Sequence, residues 1–199
     1  VHRRIQYIDG LADSMRRVGI PWGALRASLE TLPLELEAGR ADRHRARLER
    51  AIAESRRLED AYLLCQLLGE RGVVEIRAGR PEAMQASFDE ALTLARRHEF
   101  LGHVARILRF EAAHYREIGR LATAADRFAE ARRLCDSPKA GIARIRMQIE
   151  QASNYAALGC WALATRELRM VPPLVRGMRS RMPAEEWAVH QANYDRLLA

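Results

Sequence analysis

The apolar residues of the chain recur every three or four positions, which is the spacing of one face of an α-helix. Val104, Leu108 and Ala112 form one such stripe, and Ala124 and Phe128 belong to a second stripe that follows it. No segment shows the alternation of apolar and polar residues that is typical of a half-buried β-strand. The pattern therefore predicts an all-α fold made of consecutive amphipathic helices.

The helical stripes repeat along the chain with a period of 40 residues, and a glycine marks each period. Glycine adopts the left-handed backbone that ends a helix and lets the chain reverse at once. We therefore expect each glycine to be the turn of an antiparallel helical hairpin. A single hairpin cannot bury both of its faces, so successive hairpins are expected to stack. The four glycines are Gly39, Gly79, Gly119 and Gly159.

The positions around these glycines resemble the tetratricopeptide repeat family over residues 59–175. The period of 40 exceeds that family's usual period of roughly 34, as in the lengthened repeats of bacterial signalling and transcription regulators. The sequence departs from the family at Arg71 and Glu111, where leucine is usual. The resemblance implies tandem antiparallel helical hairpins stacked as a right-handed α-solenoid. It is carried by small residues at Gly72, Ala112, Ala152, Ala124, Ala164, Ala91 and Ala131, and by aromatic residues at Tyr115, Tyr155, Phe88 and Phe128.

The repeats predict one helical repeat domain over residues 1–199. Its first 38 residues are expected to be irregular, with a helix near 2–18, a short helix near 22–31 and a new helical turn at Pro33, because proline breaks a helix interior. Val1 is neither an initiator methionine nor the start of a signal peptide, so we expect a piece of a longer protein. The predicted parts are 1–38, the second helix of the first unit at 39–58, repeats at 59–98, 99–138 and 139–178, and a capping helix at 183–199.

The composition and charge favour a protein of the bacterial cytoplasm. The net charge is +7, and all but one of the 33 basic residues are arginines. These arginines alternate with acidic residues and form no cluster with aromatic residues, so nucleic acid is an unlikely partner. Charged residues interrupt every apolar run, which argues against a membrane span. Cys65, Cys135 and Cys160 have neither metal-ligand nor disulfide-framework spacing, which favours a reducing compartment.

Catalytic and metal-binding motifs are weak throughout the sequence. No phosphate-binding glycine loop, nucleophile elbow or Cys-x-x-Cys pair is present. Glu111 and His114 have the Glu-x-x-His spacing of helical-bundle di-iron proteins, but Gln151 and Asn154 stand where a duplicate would be needed. We therefore expect no enzymatic activity, no metal and no cofactor in this segment.

The resemblance also implies that the first helix of each hairpin lines a groove. Arg106, Arg109 and Arg146 could together engage a carboxylate or an acidic helix, because guanidinium groups bind carboxylates in a bidentate way. Alternatively, they form a solvated face paired with acidic residues such as Glu111 and Glu150. The groove positions that the family implies are Gln66, Arg77, Arg106, Arg109, Arg116 and Arg146.

These observations favour a non-catalytic module that binds a protein or peptide, with an acidic partner the best match. Such a module is expected to regulate a larger bacterial signalling or transcription-regulatory protein. Two alternatives stay open. One is a sensor of a small ligand or signal peptide coupled to an output domain, and the other is a scaffold that self-associates, as a homodimer through its C-terminal end.

Overall fold

The computed structural model describes residues 1–135, 141–180 and 187, and these residues form helices and turns without a β-strand. The all-α prediction is confirmed. The chain divides into two compact units, which we call unit 1 (residues 1–100) and unit 2 (residues 101–199). The helices are α1 His2–Arg17, α2 Pro21–Glu37, α3 Ala41–Arg57, α4 Ala61–Arg77 and α5 Pro81–Arg97 in unit 1, and α6 Leu101–Glu117, α7 Leu121–Leu134, α8 Gly141–Ala157, α9 Trp161–Arg169 and α10 Val171–Arg179 in unit 2.

In the described residues, seven of the turns between helices contain a residue with a left-handed backbone, whereas the junction at Met170 does not. After α4, the amide of Arg80 donates to the carbonyl of Glu75 at 3.0 Å, and after α6 the amide of Arg120 donates to that of Tyr115 at 2.7 Å. These are the bonds of a Schellman turn, which satisfies the last carbonyls of a helix. Consecutive left-handed residues lie twenty positions apart, except between 119 and 159, where the position near 139 is outside the described residues. They are Gly19, Gly39, Glu59, Gly79, Glu99, Gly119 and Gly159.

Consecutive helices pack against each other within each unit. In unit 1, α4 packs on α5 across the turn at Gly79, and α3 packs on α4. In unit 2, the hairpin of α6 and α7 turns at Gly119, the hairpin of α8 and α9 turns at Gly159, and α8 contacts both helices of the preceding hairpin. The hairpin turns predicted from the glycines are therefore confirmed.

An aromatic ring from the second helix fills the centre of each of two hairpins. In unit 2, Phe128 is fully buried against Ala112 and Ala124. In unit 1, Phe88 is fully buried and lies over Gly72 so closely that a Cβ atom on that glycine would be 2.1 Å from a ring carbon. Small residues are therefore required opposite the aromatic ring, because the ring occupies the space that a larger side chain would need.

The predicted break at Pro33 is wrong, because α2 continues through that residue to Glu37. Pro33 is exposed, whereas Leu32 and Leu34 beside it are buried. Proline in a helix interior removes a backbone hydrogen bond. Here the burial of the flanking leucines compensates for the lost bond, and residues 1–38 form two regular helices.

The second helix of the fourth hairpin is divided into α9 and α10 at Met170. Pro172 and Pro173 follow this residue, and proline has no amide hydrogen with which to continue α9 but is tolerated in the first turn of α10. Leu168 stands at the repeat position of Phe128, yet it is 46% exposed. The repeat pattern alone therefore does not predict which residues are buried at this end of the chain.

The predicted capping helix at 183–199 lies outside the described residues except for Trp187. This side chain packs half-buried against Ile145, Val171 and Met178, which belong to α8 and α10. The docking predicted for the remainder of the helix stays a prediction.

We expect Gly72→Ala to lower the free energy of unfolding by about 1–2 kcal/mol. An extra methyl group in a well-packed core costs roughly 1–3 kcal/mol, and the better helix propensity of alanine recovers at most about 1 kcal/mol. Urea denaturation followed by circular dichroism measures the change. Gly102→Ala is the matched control, because nothing lies within 4 Å of its added Cβ atom. Equal stabilisation by both substitutions would contradict the close packing of Phe88.

Candidate functional site

Glu150 joins two helices of unit 2 through two arginines. The helices α6 and α8 run in the same direction because α7 reverses the chain between them, and they contact each other. Arg109 Nη1 lies 3.7 Å from Glu150 Oε1, and Arg116 Nη2 lies 2.9 Å from Glu150 Oε2. Arg116 Nη1 also donates to the main-chain carbonyl of Glu150 at 3.3 Å. Two of the predicted groove arginines therefore hold α6 against α8.

Aromatic rings lie next to the guanidinium groups of three arginines of α6. The guanidinium carbon of Arg109 lies 4.3 Å from the ring centroid of Phe110, and that of Arg106 lies 5.8 Å from it. The guanidinium carbon of Arg116 lies 5.5 Å from the centroid of Phe128. All three distances lie within the range of cation–π attraction, which ends near about 6 Å. The arginines are thereby held in place instead of extending freely into water.

Arg106 and Arg146 lie one helical turn before the residues that join α6 to α8. Arg106 and Arg146 stand forty residues apart, at equivalent positions of the two parallel helices α6 and α8. Both side chains are half-buried. We call Arg106, Arg109, Arg116, Arg146 and Glu150 the arginine face.

His103 borders the arginine face one turn before Arg106. Burial of its ring and, to a smaller extent, the charge of Arg106 lower its pKa below the usual value. The ring is therefore neutral at pH 7, since even an unperturbed histidine titrates near 6.5. The positive charge of this surface comes from guanidinium groups.

The predicted groove residues divide between the two units. Gln66 is half-buried in α4 and Arg77 is the exposed last residue of that helix, so both belong to unit 1. Glu150 pairs with Arg109 and Arg116, which is the arrangement of the alternative interpretation, and Glu111 is buried with its Oε2 atom 3.4 Å from Arg127 Nε.

A cluster of charges in unit 1 was missed by the sequence analysis. Arg47 on α3 donates two hydrogen bonds of 2.6 Å to the carboxylate of Asp9 on α1, and a third of 3.0 Å to Glu35 on α2. It also donates to Thr31 at 3.3 Å. Glu35 is fully buried, so Arg47 supplies the charge that its carboxylate needs. One guanidinium group thus joins three helices.

The sequence did carry a signal for this cluster. Glu35 and Glu75 each stand four residues before a turn glycine, and an arginine follows each glycine. In the structure Glu75 is buried between Arg45 and Arg80, each at 2.7 Å. The 40-residue spacing of a buried carboxylate could have predicted its arginine partners.

Candidate metal ligands and thiols are scattered over the described residues. Within them, no three His, Cys, Asp or Glu side chains are grouped closely enough to hold a metal ion. Cys65 and Cys135 are buried, and Cys160 is exposed. No helix of residues 1–135 and 141–180 has the length and apolar character needed to cross a membrane.

Comparison with known proteins supports the fold but identifies no relative in sequence. No protein-family model matches the chain, and no curated protein matches it. The crystal structure of BtubC (BKLC) from P. vanneervenii is similar to this chain, with a TM-score of 0.66 and 16% sequence identity over 90% of this chain and 82% of that one. At this level of identity the likeness shows a shared fold and nothing about function.

The pair of Asp9 and Arg47 should make stability depend on pH. The hydrogen bond from Arg47, followed by its charge, lowers the pKa of Asp9, so the stabilisation is complete above the unfolded pKa near about 3.9 and is lost as the pH falls through the lower folded value. Asp9→Asn should lower the free energy of unfolding by up to about 1 kcal/mol at pH 7, since this pair is partly exposed. The difference between variant and parent should shrink as the pH falls below the unfolded pKa and through the lower folded pKa of Asp9.

Urea denaturation at a series of pH values measures this difference. Asp126→Asn is a suitable control, because it removes one exposed carboxylate from α7. A difference between Asp9→Asn and the parent that is the same at pH 2.5 and pH 7 would show that the ion pair is not its source.

Proposed function

We propose that this chain is a non-catalytic regulatory module of the tetratricopeptide type that binds a protein or peptide within a larger bacterial signalling or transcription-regulatory protein of the cytoplasm. The observation that carries the proposal is the arginine face, where Arg109 and Arg116 bind Glu150 and two further arginines, Arg106 and Arg146, stand on the same two helices. A surface of this charge attracts an acidic segment of a partner.

The two halves of the arginine face have different roles in this proposal. Arg109 and Arg116 hold Glu150 and keep α6 and α8 at a fixed separation. Arg106 and Arg146 stand one turn away at equivalent positions of the same two helices, where their side chains can bind a carboxylate of the partner. Guanidinium groups that are already ordered lose less conformational entropy on binding, which favours affinity.

Replacing both Arg106 and Arg146 with glutamate should abolish capture of the partner without unfolding the chain. Two repulsive charges would then face the acidic segment, whereas substitutions of surface charges usually change stability by within about 0.5 kcal/mol. The immobilised chain is incubated with cell lysate at low and moderate salt, and bound proteins are compared by mass spectrometry. Binding should weaken with salt, because charges are screened over roughly 8 Å at physiological ionic strength.

Arg176→Glu combined with Arg179→Glu is the matched control, because both residues are exposed on α10 and the change in net charge is identical. The control should retain the partners that the parent captures. Recovery of the same partners by the Arg106 and Arg146 variant would exclude the arginine face as the binding site.

A second candidate function is self-association through α9. Trp161, Leu168 and Met170 are exposed at 68%, 46% and 48%. In the preceding hairpin, α8 covers the equivalent region of α7, and Asn154 donates a hydrogen bond of 3.1 Å to the carbonyl of Leu121. Leu121 is the repeat equivalent of Trp161, so the surface of α9 is suited to another helix. Either the predicted helix at 183–199 or a helix of a second copy of this chain can supply it.

If α9 forms a dimer interface, Trp161→Glu together with Leu168→Glu should convert the dimer to a monomer, because buried unpaired carboxylates are strongly unfavourable. Light scattering coupled to size-exclusion chromatography measures the mass. Tyr7→Glu is the control, since Tyr7 is 74% exposed on α1. A parent chain that stays monomeric at high concentration would eliminate this candidate.

A further inference from the structure

A cleft of about 660 Å³ lies in unit 1 between α1 and α3, with residues of α2 at its base. Both helices pack against α2, and Arg47 and Asp9 join them at one end of the cleft. The volume lies in the range of ligand pockets, roughly 300 to 1,000 Å³. By their place in the repeat, α1 and α3 correspond to second helices of hairpins, so this cleft is separate from the groove that first helices are expected to line.

The charges in the cleft are paired with one exception. Four arginines and three carboxylates contribute to its surface. Arg47 binds Asp9, Arg16 lies 2.7 Å from Asp13, and Arg57 lies 3.6 Å from Glu54. The remaining cation is Arg50.

Arg50 is exposed on α3 and is available to a ligand. Its Nε atom donates to the carbonyl of Ala46 at 3.3 Å, and no carboxylate of the described residues contacts its guanidinium group. After Arg47, the charges of Arg50 and Arg16 also contribute to the lowered pKa of Asp9. The positive charge of Arg50 therefore acts inside the cleft, although carboxylates form part of its wall.

The direction of the helices places Arg50 along the wall of the cleft. The helices α1 and α3 are parallel because α2 reverses the chain between them. Since Asp9 faces Arg47, the next turns of α1, which carry Asp13 and Arg16, face the turns of α3 that carry Arg50 and Glu54. Leu25 and Ala51 form the buried floor of the cleft, and the exposed Ala53 lies on its wall.

We propose that this cleft binds a peptide through a single carboxylate, which Arg50 receives, while a neighbouring apolar side chain of the peptide packs against the exposed Ala53. A guanidinium group matches a carboxylate in a bidentate way. One unmatched positive charge suits a monoanion, and Asp13 and Glu54 disfavour a dianion such as phosphate. The carboxylate comes from the end of a peptide chain or from an acidic side chain. This site is independent of the arginine face in unit 2.

The test uses the full chain labelled with ¹⁵N, and spectra of the arginine Nε–H groups are recorded during titration. Three probes separate the sources of the carboxylate. They are N-acetyl-alanyl-leucine with a free terminal carboxylate, N-acetyl-glutamyl-leucine amide with only a side-chain carboxylate, and N-acetyl-glutaminyl-leucine amide with neither. At least one of the first two should shift the Arg50 resonance, and the third should bind about tenfold more weakly or worse, since a hydrogen bond to a charged group contributes 1.5–3 kcal/mol and each 1.4 kcal/mol is tenfold in affinity.

Substitution of Arg50 identifies the receiving group. Arg50→Gln should weaken binding of the carboxylate probe about tenfold, because a neutral amide loses the charge-assisted pair. Arg50→Lys should fall between the parent and the glutamine variant, since an ammonium group keeps the charge without the planar fork. Arg17→Gln is the control, because Arg17 is exposed on α1 but does not border the cleft. It should bind like the parent.

Several results would overturn the proposal. One such result is equal binding of the amide and carboxylate probes, and another is an unchanged affinity of Arg50→Gln for the carboxylate probe. A third is an Arg50 resonance that does not shift at the highest probe concentration that solubility allows. Inorganic phosphate that competes more strongly than acetate would exclude a monoanion site. Loss of probe binding in the Arg106 and Arg146 double variant, with retention in Arg50→Gln, would assign the probe to the arginine face instead.

Discussion

The left-handed residue at seven turns of the described chain is the constraint on which the rest of the structure depends. Because these residues lie twenty positions apart, most helices have the same length of seventeen residues, which corresponds to about 25 Å. Turns of the same type then bring equal helices together in antiparallel pairs. Residues equally distant from a turn glycine consequently face each other, and the register of every hairpin follows from its turn.

Polar pairs inside the hairpins show this symmetry directly. The eighth residue before a turn glycine and the eighth residue after it form a polar contact in three successive hairpins. Such pairs contribute little net stability, because desolvation offsets their attraction. They instead penalise a slip of one helix along the other, since a slip would leave a buried polar group without its partner. The three pairs are Thr31 with Arg47 at 3.3 Å, Ser87 with Arg71 at 2.9 Å, and Glu111 with Arg127 at 3.4 Å.

The many arginines of the chain therefore serve two different purposes. Arg47 and Arg127 neutralise carboxylates that the fold buries, and removal of such a partner would leave an uncompensated charge in the interior. Other arginines border surfaces that solvent or a partner can reach. They are Arg50, Arg106 and Arg146. Net charge alone does not separate these purposes. The separation comes from the distance between each guanidinium group and the carboxylates of neighbouring helices.

The sequence by itself determined the helices, the reversals at Gly79, Gly119 and Gly159, and the packing of Phe128 on small residues. These features could be predicted because backbone preference and helical spacing act over a few residues. The sequence did not reveal that Glu59 and Glu99 adopt left-handed turns. Nor did it show that α2 passes through Pro33, where burial of adjacent leucines outweighs a lost hydrogen bond. Only the tertiary structure decided which arginines are paired and which border a cleft. Most of those pairings join residues on different helices, as Arg47 with Asp9 and Arg116 with Glu150, which lie more than thirty positions apart. They depend on the separation of packed helices, which no local pattern of residues contains.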